Sequence, residues 1–384
     1  MMRYLTAGES HGPALVGILD GLPAGLRLDI SALNQTLASR QGGHGRGARM
    51  KIEQDEVEIL AGLRGGVTLG SPLALVIRNR DFENVRALMD PQTGAGEPIT
   101  RPRPGHADYA GAIKYRQRDL RNVLERASAR ETAMRVALGE VARQYLAVFG
   151  VTVRGHVIQI GDVVARPFEP LPDIEYIAAS AVRCADPEAG LAMVSRIDEA
   201  KAAGDTLGGA FEVRVQGMPV GIGSNRQPES RLDALLAAAL MSVQTIKAVE
   251  VGEGIRTGGY VGSRSHDTFE LRDGNIGRGS NRAGGIEGGM SNGQEIVIRA
   301  QSKALSTLRT PLESVDLHEA SSAKATVVRS DVCAVPAASI VGEAMICLAL
   351  APLFAEKYGG DSLAETLEHF TASQAGAAGV FRPE

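Results

Sequence analysis

Residues 252–293 constrain the fold more than any other stretch, because glycine recurs there too often for a long regular element. Its densest part is Gly284-Gly285-Ile286-Glu287-Gly288-Gly289. A flexible linker is the simplest reading of such a stretch. The intervening residues, however, include Arg278, Asn281, Arg282 and Asn292 rather than serine repeats, which suits ordered binding loops. A second glycine-rich loop, Arg40-Gln41-Gly42-Gly43-His44-Gly45-Arg46-Gly47, carries two arginines, with Arg49 just beyond it.

Hydrophobic periodicity places the regular elements around these loops. Residues 14–19 read as a short buried strand closed by the turn Asp20-Gly21-Leu22-Pro23. Residues 29–39 read as a helix with Ile30, Leu33 and Leu37 on one face and Asp29 as N-cap. Strands over 57–63 and 72–77 pair across the turn 64–70. Residues 90–105, with four prolines and three glycines, form a long loop. Helices are expected over 107–120 and 125–149, the second ending at Gly150. A strand over 151–160 follows, then helices over 187–203 and 230–242 flanking a strand at 210–216. Strands at 294–300 and 325–328 and a helix from 336 to 357 close the core. There is no internal repeat, no βαβ alternation and no domain linker. The pattern predicts an α+β fold of largely antiparallel sheets packed on helices. Residues 1–360 read as one domain and 361–384 as a loose tail.

The core must be aliphatic, since aromatic residues make up 4% of the chain and Trp is absent. Cys184, Cys333 and Cys347 are too few and scattered for a disulfide framework or metal cluster, which fits a reducing cytoplasm. No charged-then-apolar leader precedes Ala7, so no signal peptide is expected. The most apolar run, 346–355, is broken by Pro352 and too short to span a bilayer. Net charge is −4, yet arginine outnumbers lysine 34 to seven. A GC-rich genome would produce that excess, but position is more informative. Arg40, Arg46 and Arg49 share one loop and Arg101 and Arg103 another, where planar guanidinium groups suit carboxylate and phosphate oxygens.

Several chemistries are unsupported. No GxGxxG follows a strand and no GxxxxGK[ST] is present in usable context. Histidine and cysteine spacings match no zinc motif. Ser10 and His11 are adjacent, so they cannot readily form a nucleophile–base pair. What remains is His, Asp and Arg in glycine-rich loops. His11 lies in the turn Gly8-Glu9-Ser10-His11-Gly12 and reads as a structural residue or a proton-transfer group. His106, before a helix, has the same two readings. Arg126-Ala127-Ser128-Ala129-Arg130 opens a helix and reads as a phosphate cradle or a charged helix start. Lys303 and Arg329-Ser330-Asp331 flank the last strands, with Asp331 a turn residue or a base.

The runs GESHGPALVGILDGLP at 8–23, RQGGHGRGARM at 40–50, RPGHADYAGAIKY at 103–115 and ERASARETAMRVALG at 125–139 resemble chorismate synthases. So do NRAGGIEGGMSNG at 281–293 and RSDVCAVPA at 329–337, and the blocks keep the family's order from residue 3 to about 355. The resemblance implies a β-α-β sandwich, usually assembled as a homotetramer. It implies conversion of 5-enolpyruvylshikimate 3-phosphate to chorismate, with loss of phosphate and of a proton from carbon 6. Reduced FMN is required although the reaction is redox-neutral. An external flavin reductase would supply it, with NADPH as an indirect reductant, and neither nucleic acid nor a membrane is involved.

By motif matching, His11, His106 and Asp331 would move protons. Ser10, Arg40, Arg46, Arg49, Arg103, Arg130 and Arg329 would hold the substrate's carboxylates and phosphate. Arg126, Ala127, Ser128, Gln244, Thr245, Gly288, Lys303, Ala304, Leu305, Ser306, Thr307 and Arg329 would contact FMN. Arg40 and Arg46 also match positions described as nicotinamide-nucleotide contacts. Thr245 stands where alanine is usual, His44 where tyrosine is frequent, and Lys303 lacks the following proline; none of these changes removes a reactive group. Two other classes compete. A hydride-transferring flavoenzyme lacks a visible nicotinamide domain. A nucleic-acid binder is opposed by a pI near 6.1 and few stacking aromatics.

Overall fold

A computed structural model describes residues 2–47, 53–272 and 275–379. The first sheet comprises β1 (Arg3–Ala7), β2 (Ala14–Asp20), β3 (Val57–Ala61) and β4 (Leu73–Arg78), in the order β1-β2-β4-β3 and antiparallel throughout. The expected pairing of 57–63 with 72–77 is the β3–β4 ladder. In register, Leu15 faces Ile77, Gly17 faces Leu75 and Leu19 faces Leu73. The alternation drives these leucines and Ile77 to one face, where all are buried. The second sheet holds β5 (Thr152–Ile160), β6 (Val163–Val164), β7 (Gly209–Gln216), β8 (Ile246–Val251) and β9 (Ile296–Ser302), ordered β8-β9-β7-β5-β6 and also antiparallel.

The longer helices are α1 (Ile30–Gln41), α2 (Phe82–Met89), α3 (Asp108–Tyr115), α4 (Arg121–Ala127), α5 (Thr132–Ala147), α6 (Pro187–Ala202), α7 (Leu232–Met241), α8 (Val335–Tyr358) and α9 (Leu363–Gly379). Helix α1 is capped as expected, Asp29 Oδ1 accepting Ala32 N–H at 3.0 Å. Helix α5 packs on β2 and β4, α8 packs on β5 and β7, and the two helices pack on each other. Their approach depends on Gly139, where a Cβ would lie 2.4 Å from the Cβ of Ala344. Any larger residue there would force the helices apart or leave strain of about 1–3 kcal/mol. Helix α8 is long and apolar enough to cross a bilayer, yet it is mostly buried inside the protein. A helix apolar on every side is at home in such a core.

Five expectations need correction. The 107–120 helix stops at Tyr115, because Arg116 turns left-handed at φ 53°. The 125–149 helix is two helices broken at Ser128, whose extended backbone (φ −64°, ψ 141°) lets its Oγ accept Arg130 N–H at 3.3 Å. Serine competes with helical hydrogen bonding in this way. No strand covers 325–328; a hairpin of Glu313–Asp316 with Ser321–Lys324 precedes it, and Val328 instead walls a cavity. The tail is ordered as α9, since Leu363, Leu367 and Phe370 pack on the core, with the Phe370 ring 5.2 Å from Phe149 and 5.0 Å from Tyr358. Residues 252–293 hold ordered hairpins, Phe269–Arg272 with Asn275–Arg278 and Ile286–Glu287 with Met290–Ser291, but their described residues line no part of that cavity.

Candidate active site

The break at Ser128 and the bend after β1 bring two distant segments together. Gly8 turns at φ 112°, where a Cβ would lie 2.4 Å from Ala14 O, so only glycine fits. The turn is then tied to α4: Ser10 N–H donates to Glu125 O at 3.1 Å and His11 N–H to Glu125 Oε2 at 2.7 Å. The His11 ring places Nδ1 3.0 and 3.1 Å from the two oxygens of that buried carboxylate. Ser128 Oγ donates to Ser10 Oγ at 3.2 Å.

His106 is held in a similar manner. Its Nδ1 lies 2.6 Å from Oδ1 of Asp108, the first residue of α3. Arg103 clamps the same carboxylate through Nε at 2.8 Å and Nη2 at 3.0 Å, and donates Nη1 to Thr307 Oγ1 at 2.9 Å. Burial opposes the charge on Asp108. Hydrogen bonds from His106 and Arg103 and their positive charges overrule it, holding the carboxyl well below the usual range.

A cationic wall completes the arrangement. Arg130 is held by Asp55 at 2.6 Å and by two bonds to Asn79 Oδ1. Arg46 donates to Asp331 Oδ2 at 2.5 Å, while Gly47 N–H donates to Asp331 Oδ1 at 2.6 Å. Arg329 pairs with Asp81 at 2.5 Å, and Lys303 Nζ donates to Gly105 O. Arg40 differs. Its Nε and Nη2 are bonded to Thr132 Oγ1 and Ala129 O, but buried Nη1 has no hydrogen bond and sits 3.9 Å from Asp55. Burial, with Arg46 and Arg130 adding to it against the pull of Asp55, lowers the Arg40 guanidinium to about 9. A cation in that position is short of an anion.

These groups line one cavity of about 740 Å³. The lining also has an apolar part, with Val85, Leu88 and Met89 of α2 and Ala337, Ala338 and Val341 of α8. Gln244 Oε1 is buried there without a hydrogen bond. Next to it Thr245 holds a left-handed φ of 79°, a costly conformation for a β-branched residue and one that clusters at functional sites. An apolar lining, an unpaired amide oxygen and a guanidinium nitrogen without a hydrogen bond fit an apolar heterocycle bearing phosphate.

Most of the residues singled out from sequence meet here. His11, His106, Asp331, Ser10, Arg40, Arg46, Arg103, Arg130 and Arg329 line the cavity, as do Ala127, Ser128, Gln244, Thr245, Lys303, Leu305, Ser306 and Thr307. Three do not. Arg126 is exposed and donates to Gly8 O and Thr6 O, Ala304 is off the wall, and Gly288 sits in the 286–291 hairpin. Arg49 lies outside the described residues. Sequence reasoning missed Glu125, Asp108, Arg121 and the α2 wall. Of these only Asp108, two residues after His106, had a local signal.

The chorismate synthase family model matches residues 2–354. A chorismate synthase of Desulforudis audaxviator is 54% identical over 375 residues, covering 96% of each chain. One of Geobacter metallireducens is 51% identical over 383 residues, covering 96% of this chain and 98% of the relative. A crystal structure of chorismate synthase superposes with a TM-score of 0.77 at 38% identity, covering 98% of both chains. Family model, relatives and solved structure all span the cavity and both sheets, and the chain belongs to the chorismate synthase family.

Proposed function

We propose that this chain converts 5-enolpyruvylshikimate 3-phosphate into chorismate and phosphate by a 1,4-elimination that requires reduced FMN, the last common step of the shikimate pathway to aromatic amino acids. Besides family membership, one observation carries the reading. Two histidines whose Nδ1 atoms are held by buried carboxylates share a cavity with an arginine, Arg40, whose buried Nη1 has no hydrogen bond and whose one close carboxylate, Asp55, lies 3.9 Å away. The substrate has two carboxylates and a phosphate, so it supplies what that wall lacks. Arg40, Arg46, Arg103, Arg130 and Arg329 would share these oxygens.

The residues present also suit FMN. Ser128, Gln244, Thr245, Lys303, Leu305 to Thr307 and Arg329 would hold it, Gln244 through its unpaired Oε1. Reduced FMN supplies electron density that helps the phosphate depart. The protein's task is orientation and proton movement. With Nδ1 of His11 and His106 turned to carboxylates, proton exchange takes place at Nε2 of each ring. Asp331, oriented by Arg46 and Gly47, would hold the proton that carbon 6 loses. The apolar side chains of α2 and α8 that line the cavity would limit water around the bound ligands.

Packing of α5 on the first sheet, of α8 on the second and of the two helices on each other supports reading the fold as the β-α-β sandwich that the resemblance implies. Exposed Leu5 and Ile18 on the first sheet and Phe269, Leu271 and Ile276 on the long hairpin are apolar surface that further copies in a homotetramer would cover. Three buried free cysteines suit a cytoplasmic location. Reduced flavin would come from an external reductase, with NADPH as the indirect reductant. An anaerobic assay with dithionite-reduced FMN tests the activity: chorismate and phosphate should appear in equal amounts, and neither with oxidised FMN. Absence of both with the reduced cofactor refutes the proposal.

A further inference from the structure

We infer that Glu125 is a positioning residue that fixes the tautomer of His11. Glu125 belongs to α4 and is 5% exposed, while His11 lies 114 positions earlier in the turn after β1. One carboxylate accepts the His11 backbone N–H at 2.7 Å and approaches Nδ1 at 3.0 and 3.1 Å, and the Glu125 carbonyl accepts Ser10 N–H at 3.1 Å. Backbone and ring of the same histidine are thus held by the same group.

The chemistry follows from what each partner can do. A backbone N–H is an obligatory donor, so the carboxylate must present lone pairs to the turn. Its remaining lone pairs meet Nδ1, which therefore carries the ring proton and leaves Nε2 as the exchanging nitrogen. Glutamine in this position makes the opposite demand. Its single oxygen goes to the His11 N–H, its NH₂ faces Nδ1, and the ring proton is driven to Nε2. Glu125→Gln is then nearly isosteric and inverts the tautomer. Glu125→Asp keeps both acceptors but withdraws them by one methylene.

The catalytic part of this inference rests on the reading of His11 as a proton-transfer group; the tautomer part does not. The test uses full-length protein carrying ¹⁵N-histidine, with His11→Asn to assign the ring signals. In the unliganded wild type, the His11 signals should show a protonated Nδ1 and a bare Nε2, and in Glu125→Gln the reverse. In the assay with reduced FMN, Glu125→Gln should lose about 10²–10⁴-fold in kcat with KM changed less than about threefold. Glu125→Asp should keep the wild-type tautomer and recover part of the rate. An unchanged tautomer in Glu125→Gln overturns the inference whatever the activity. An inverted tautomer with normal kcat also overturns it, and places the fault in the role given to His11. Equal losses of melting temperature, KM and kcat in both variants would show Glu125 to be merely structural. Wild-type protein that makes no chorismate would refute the proposed activity, while the ring signals still report on Glu125.

Discussion

At the junction of α5, α8 and β5, Glu343 accepts Arg183 Nη2 at 2.6 Å and Gly155 N–H at 2.8 Å on one oxygen, and Arg143 Nη2 at 2.6 Å on the other. In the cavity, Arg40 keeps a buried nitrogen with no hydrogen bond. Both regions bury arginines among acids, yet their charges respond in opposite ways. Burial works against Arg143, but Glu343 and Glu140 outweigh it and raise its pKa. Burial works against Arg40 too, and neighbouring cations reinforce it, bringing the group to about 9. Buried charge alone therefore does not mark a site. Where carboxylates outweigh the arginines, as around Arg143, the cluster holds the fold together; where neighbouring cations add to burial, as around Arg40, the site favours an incoming anion.

Four substitutions sharpen or break this contrast. The largest effect is expected from Asp331→Asn, which cannot hold a proton at neutral pH and turns an NH₂ toward Arg46 or Gly47 N–H. Turnover should fall about 10²–10⁴-fold with the melting temperature nearly unchanged. Near-normal turnover would remove Asp331 from proton transfer. Next, Glu343→Ala strands Arg143 and Arg183 and should cost about 3–5 kcal/mol in urea unfolding, without weakening ligand binding by the folded protein. A strong loss of substrate affinity there would show the two regions to be coupled.

Arg40→Met should do the reverse. Loss of a charge-assisted contact of roughly 1.5–3 kcal/mol should weaken substrate binding about 10- to 150-fold, by titration calorimetry, with a smaller change in unfolding free energy. Equal affinity in a folded variant would close the cavity as an anion site. The smallest effect concerns Glu212, buried in β7. Burial raises its pKa, but the hydrogen bond from His156 and the charges of Arg299 and Arg214 lower it to about 2. A carboxyl depressed from its ordinary 4.5 stabilises the fold fully above about pH 4.5, and that contribution fades as pH falls toward 2. Urea midpoints across this range should fall less steeply in Glu212→Gln than in the wild type. Identical slopes would show that Glu212 carries none of the acid sensitivity.

The two regions also differ in how far the sequence disclosed them. His11, His106 and the arginines of 40–47 stand in glycine-flanked loops, where apolar packing does not explain them, so their chemistry was legible. Glu343 sits in a helix that reads as uniformly apolar, and its partners come from α5 and from the turn before α6. No local pattern announces a contact between residues 143, 183 and 343. Glu125 was hidden for the same reason, since its importance depends on a turn 114 residues away. The helix break at Ser128 escaped because the residues on either side keep helical spacing, while a side-chain cap decided the backbone. The helix in place of a loose tail follows from Leu363, Leu367 and Phe370, which lie on one helical face and pack on the core.

The proposed elimination at the open cluster requires reduced flavin without spending it. It is tested most directly by counting electrons against product. Under strict anaerobiosis, a limiting, measured quantity of reduced FMN should support many turnovers of 5-enolpyruvylshikimate 3-phosphate, with the flavin still reduced at the end. Consumption of one equivalent of reductant per chorismate formed would contradict the account and make the protein an oxidoreductase.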